Sequence, residues 1–168
     1  MPSPAESSRE RQVLLSSLEA QRGHVLGILE GLPGEALHRR VLPSGWTCLG
    51  LVRHLALDVE RFWFRSIVAG EQVELYQGAE AWQVSEDTPP EEVFALYRQE
   101  IDDANAVIAR TPLDTPPARW PEQWQEWRAA DLREIMLHVI TETACHAGHL
   151  DAVRELIDGR KWVVVTDR

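Results

Sequence analysis

Glu142 and His146, four residues apart, carry side chains able to ligate a cation, and their neighbours make the pairing informative. At 3.6 residues per turn the two lie about 40° apart on one helical face. Ile135, Val139, Leu150, Val153 and Ile157 share that face. A stripe that must turn toward the core therefore has a carboxylate and an imidazole set into it. An ionised carboxylate buried without a partner is costly, so the interior has to supply something positive, and a divalent cation would serve. Glu and His one turn apart is a spacing used by metal sites inside helical bundles. A third ligand must then come from a neighbouring helix. His54 is the natural candidate, although it lies toward the edge of its own helix's apolar stripe. The same spacing also fits a plain hydrogen-bonded charge pair, the commoner use of such residues. The residues alone leave both readings open.

Several neighbours bear on that choice. His138 and His149 flank Glu142 on the same side of the helix and read either as part of the site or as a solvated, titrating patch. Asp58, one turn beyond His54, reads foremost as a surface acid and otherwise as the carboxylate that orients the His54 ring. Cys145 adjoins His146 in sequence but points about 100° away from it, which favours a small packed residue over a nucleophile. Gly148 in a helix interior costs about 1 kcal/mol relative to alanine, which suggests close packing or a need for space near the site. The tryptophans read as core and covering residues, with an aromatic pocket wall as the minority reading.

The elements that must hold these residues are helices. Apolar residues recur at helical spacing over 8–32, 47–69, 88–111 and 131–158, and strand signal is very weak. Pro33-Gly34 stops the first stretch. Thr47 is an N-cap for the second and Gly70 its terminator. Thr88 with Glu91, and Asp131 with Glu134, read as capping boxes for the third and fourth. Four amphipathic helices that each need a partner make an all-α, four-helix bundle. The connection over 70–87 is too long for a tight hairpin. The one over 111–130, rich in Pro and Trp, is expected to cover an end of the bundle. Residues 161–166 read as a short strand or extended arm.

A chain of 168 residues suits one domain, read as a helical core over 8–159 and a C-terminal arm over 160–168. It is long enough to fold without a metal or disulfide, which leaves any metal free for chemistry. Acids outnumber bases 27 to 17, a formal charge of −10, which repels phosphate backbones and disfavours a nucleic-acid binder. Two cysteines make no disulfide framework, and no apolar run reaches membrane-spanning length. A soluble cytoplasmic protein acting on a small molecule is expected, with a homodimer formed through an exposed apolar face.

Three segments then resemble a known family: PSGWTCLGLVRHLA at 43–56, VERFWF at 59–64 and LHVITETACHAGH at 137–149. Together they are similar to the DinB-like superfamily of metal-binding four-helix bundles, in its mini-circle-type branch. That branch is related to the mycothiol-dependent maleylpyruvate isomerase and to bacillithiol and mycothiol S-transferases. Order and spacing agree over about residues 10–159. The resemblance implies a long crossover between the second and third helices and a divalent metal, commonly zinc or nickel, held at one end. His54 matches the second-helix ligand, and Glu142 and His146 match the two fourth-helix ligands. Many members have histidine where this chain has Glu142; a carboxylate there looks like the maleylpyruvate isomerase relatives. His149 falls where many relatives carry glutamine, so it lines the pocket or stands as an alternate ligand.

The reaction implied is transfer or isomerisation with a low-molecular-weight thiol cosubstrate acting on a small electrophile. His149 or His138 would move the proton. The alternatives are a metal-dependent hydrolase and a non-enzymatic stress protein that binds metal or small molecules.

Overall fold

The computed structural model describes residues 4–76, 78–122, 124 and 127–162, so the expected arm lies, beyond Trp162, outside the described residues. It is an all-helical bundle, with no strand among the described residues. Helix α1 spans Pro4–Leu29 and buries Leu14, Leu18, Val25, Ile28 and Leu29. It ends before Gly31, whose φ of +76° no other residue type adopts cheaply. A single turn, α2, follows at Gly34–His38.

Helix α3 starts at Cys48–His54 and continues without a break into a π-helical stretch, Leu55–Val68. Thr47 caps it as expected, its hydroxyl accepting the Gly50 N–H at 3.0 Å. The buried residues of the π stretch recur every four: Leu55, Val59, Trp63 and Ile67, and beside them Ala56, Glu60, Phe64 and Val68. A four-residue repeat lags the 3.6-residue turn, and a helix unwound toward i→i+5 hydrogen bonds brings both rows inward. The Ala69 N–H, bonded to the Phe64 carbonyl at 3.0 Å, shows that spacing directly.

Helix α4 spans Pro90–Arg110 and α5 spans Leu132–Asp158. The box expected at Thr88 is absent. Pro89 occupies the cap position with no side-chain bond, so the helix starts one residue later than expected, and Pro90 has no amide for Thr88 to serve. Asp131 does cap α5, accepting the Glu134 N–H at 3.1 Å, while Glu134 accepts from Ala130 rather than from the cap residue. Helix α1 packs chiefly on α5, and α3 chiefly on α4.

Arg22, Glu60 and Glu100 are fully buried in the bundle. The Arg22 guanidinium donates two bonds to Glu60, at 2.7 and 2.5 Å, and one to Asn105 at 2.8 Å, which ties α1 to α3 and α4. Arg61 and Arg65 reach across to Glu100.

Both long connections lie along the bundle. The crossover between α3 and α4 carries one 3₁₀ turn, Glu80–Trp82, pressed onto α3. A Cβ at Gly50 would collide with the Trp82 carbonyl. Gly50→Ala is therefore expected to destabilise the fold by about 1–3 kcal/mol, as overpacking against rigid backbone does. Chemical denaturation measures this, and an unchanged midpoint would show that the turn is free to shift. The α4–α5 connection is stapled to the end of the π stretch, with Ala118 and Arg119 donating to the carbonyls of Val68 and Ile67 at 3.3 and 3.1 Å. This directs its tryptophans against Phe62 and Trp63, near the C-terminal end of α3.

Candidate metal centre

Where the α-helical part of α3 meets the middle of α5, His54 faces Glu142 and His146. The three offer ligand atoms that all lie within 4.8 Å of one another. Within α5, Glu142 Oε1 is 3.0 Å from His146 Nε2, the one-turn contact that the spacing predicts. Across the helices His54 Nε2 is 3.9 Å from the same carboxylate oxygen, beyond hydrogen-bond reach.

His54 is held on two sides. Its Nδ1 is 2.9 Å from Asp58 Oδ2, and an ionised carboxylate only accepts, so Nδ1 carries the proton there. Asp58 is thus the orienting partner and not merely a surface acid. The indole of Trp82 stacks on the imidazole at 4.2 Å and 17°. With Nδ1 engaged and the ring fixed, Nε2 is the free atom of the pair. It is buried with no hydrogen-bond partner. A buried polar atom without a partner is uncommon and calls for an ion or water to meet it. Two imidazole nitrogens and a carboxylate are a donor set that zinc or nickel accepts. The residues fit a transition-metal cation on that test.

Burial alone depresses the His54 imidazolium, but the Asp58 hydrogen bond, with Glu142 behind it, outweighs this and lifts the group above its ordinary value. The His146 hydrogen bond, followed by the facing His54 imidazole 3.9 Å away, holds Glu142 far below the usual carboxylate range. The expectation that Glu142 is sunk in the stripe needs correction. Its side chain is 38% exposed against 12% for His146 and 13% for His54. The carboxylate stands at the rim of the buried stripe because the bundle wall opens beside it.

The other sequence candidates lie on either side of this triad. His149 is exposed, its Nδ1 3.5 Å from His146 Nδ1, and its ring centre is 6.4 Å from that of Trp46. His138 sits one turn before Glu142, against Trp63 and Trp127 at 4.5 and 5.1 Å. Burial there pushes the imidazolium down, so the ring stays neutral. Cys145 is exposed, not packed as expected, because its direction away from the stripe carries it to the surface. Burial pushes the Cys48 thiol up to about 11, which keeps it protonated. A Cβ at Gly148 would meet nothing within 4 Å, so neither close packing nor a need for space explains this glycine.

Two clefts lie near the triad; none of the three residues lines either, but each cleft includes a residue that touches His54. One, of about 710 Å³, includes Trp82 together with Arg40, Ser44, Trp46, Thr47 and Gln83. The other, of about 560 Å³, includes Asp58 together with Phe62, Leu75, Tyr76 and Trp124. Behind the second, Trp63 meets Trp120, Trp124 and Trp127 at 5.7–6.0 Å, so the aromatic-wall reading of the tryptophans is the one the packing supports. Trp82 and Trp46 were not singled out as site residues by the sequence, since neither lies in a periodic stretch that would orient its ring.

Among the described residues no helix is long and apolar enough to cross a membrane. A comparison with protein families matches residues 13–159 to the family described as mycothiol-S-transferase. No curated protein matches, and no solved structure does.

Proposed function

The chain belongs to the mycothiol-S-transferase family, and from that premise we propose that it joins a low-molecular-weight thiol to a small electrophile, with a divalent cation held by His54, Glu142 and His146. The thiol is mycothiol by the family. The observation that carries this reading is the His54 Nε2 atom, buried, unpartnered and facing a carboxylate and a second imidazole. Three protein ligands leave a coordination position open, the pattern of catalytic rather than structural sites. When bound, such a cation lowers the pKa of a neighbouring thiol, so that the thiolate is available near neutral pH.

The remaining work falls to the chain itself. Asp58 keeps the His54 proton on Nδ1 and the lone pair on Nε2. Trp82 shields one face of that ring from water. His149, solvent-facing beside His146, is the group assigned to carry the thiol's proton away. His138, neutral within the tryptophans, is a second proton acceptor on the opposite side.

The test is conjugation of mycothiol to an alkylating electrophile by protein reconstituted with zinc or nickel, compared with the same protein stripped by a chelator. Equal rates contradict the reading.

The proton inventory makes a further prediction. Without a cation, the raised His54 value contributes stability that is complete below its unfolded value of about 6.5 and is lost as pH rises through the higher folded one. The lowered Glu142 value contributes stability present above about 4.5 and lost as pH falls toward its folded one. A cation must displace the His54 proton. Its affinity is therefore expected to rise by at least about tenfold per pH unit below the folded His54 value and to level off above it. Calorimetric titrations in buffers of different ionisation enthalpy read both the slope and the released proton. A flat profile would mean that His54 is not a ligand.

A further inference from the structure

The two clefts beside His54 differ in chemistry, and that difference assigns the substrates. The cleft on the Trp82 side is lined by residues that carry hydrogen-bonding groups, Arg40, Gln83, Ser44 and Ser85 among them. The Asp58 side presents rings and hydrocarbon: Phe62, Leu75, Tyr76 and Trp124. Among the described residues that line it, the one charged group is the Asp58 carboxylate, already committed to His54.

We propose that the aromatic cleft beside Asp58 is the electrophile's subsite and that it selects flat, uncharged electrophiles, leaving the polar cleft on the Trp82 side to the thiol. This rests on the transferase reading above and adds to it the electrophile's chemical class. The cleft's volume of about 560 Å³ suits a small ligand. Its rings are fixed rather than loose. Arg53 lies 4.9 Å from the Tyr76 ring centre, and Trp124 packs against Phe62 at 5.5 Å and Trp63 at 5.7 Å. Preset aromatic faces bind a planar apolar group with little ordering cost. The Asp58 carboxylate at the edge repels an anionic electrophile, and the nearest described cation, Arg53 against Tyr76, is engaged with the Glu80 carbonyl at 2.6 Å.

The step balances without an oxidant. The thiol gives up its proton, its sulfur electron pair forms the new S–C bond, and the C–X electron pair leaves with X as the halide.

Binding and conjugation are measured separately, so that the subsite and the transferase reading fail independently. Two unreactive probes of similar shape, 2,4-dinitrotoluene and the anion 2,4-dinitrobenzoate, are titrated against the full-length protein by calorimetry. The neutral probe is expected to bind at least about tenfold more tightly, and Trp124→Ala to weaken it by about tenfold. Leu156→Ala, on an exposed residue that lines neither cleft, is expected to change nothing. With mycothiol and 1-chloro-2,4-dinitrobenzene, Trp124→Ala should raise KM for the electrophile and not for the thiol. Equal binding of the two probes, or Trp124→Ala binding like wild type, overturns the subsite. Selective probe binding with no conjugation upholds the subsite and sinks the transferase reading.

Discussion

Arg22→Met is expected to destabilise the folded chain by about 3–5 kcal/mol, the usual cost of stripping one partner from a buried ion pair. Arg22 and Glu60 are 1% and 0% exposed, and the guanidinium grips both carboxylate oxygens. Methionine fills much of the volume but brings no charge and no donors. Burial already raises the Glu60 carboxyl above its ordinary value despite Arg22, so without the guanidinium the group must take up a proton to stay inside. Urea denaturation of the variant therefore has a second signature. The loss of stability shrinks as pH falls toward the range in which Glu60 protonates. The double change Arg22→Met with Glu60→Leu should recover much of the loss, because an apolar pair of similar volume is often no worse than the ion pair it replaces. A single variant as stable as wild type would show that Glu60 finds another partner.

The second large effect is on activity. Glu142→Ala and His146→Ala are each expected to lower kcat/KM for conjugation by at least about 100-fold, since even groups that merely orient a metal ligand cost 10–100-fold when removed. Both variants should stay folded, with a stability loss well below that of Arg22→Met, because the Glu142–His146 pairing is partly exposed and screened by solvent. Glu142 is partly exposed at the rim, where its carboxylate bonds His146 and faces His54. Loss of rate in a folded protein separates the triad from Arg22 and Glu60, whose loss acts through the fold. A residual rate near wild type in both variants would remove the triad from the reaction.

Much of this was legible in the chain's periodicity. The α1 stripe, the Thr47 and Asp131 caps and the Glu142–His146 contact all follow from helical spacing, which depends only on local geometry. His54 could be placed on the right helix, but at the edge of its stripe its inward direction was open until Asp58 and Trp82 were seen to hold the ring. Arg22 sits between Leu18 and Val25 in the α1 stripe, so a buried cation was visible there and was missed because nothing local shows that Glu60 faces it. Trp82 and Trp124 reach the site from irregular chain, held by backbone contacts that have no sequence period. Cys145 and Gly148 show the converse limit. Their residue types suggested packing, while their position on α5 turns them outward.

The account depends on His54, Glu142 and His146 sharing one cation. Calorimetric titration of chelator-stripped protein with zinc or nickel tests this directly, run beside His54→Ala and Glu142→Ala. One equivalent bound per chain, with that binding lost in both variants, is the predicted result. A wild-type protein that takes up no cation, or variants that bind it as tightly as wild type does, would contradict it.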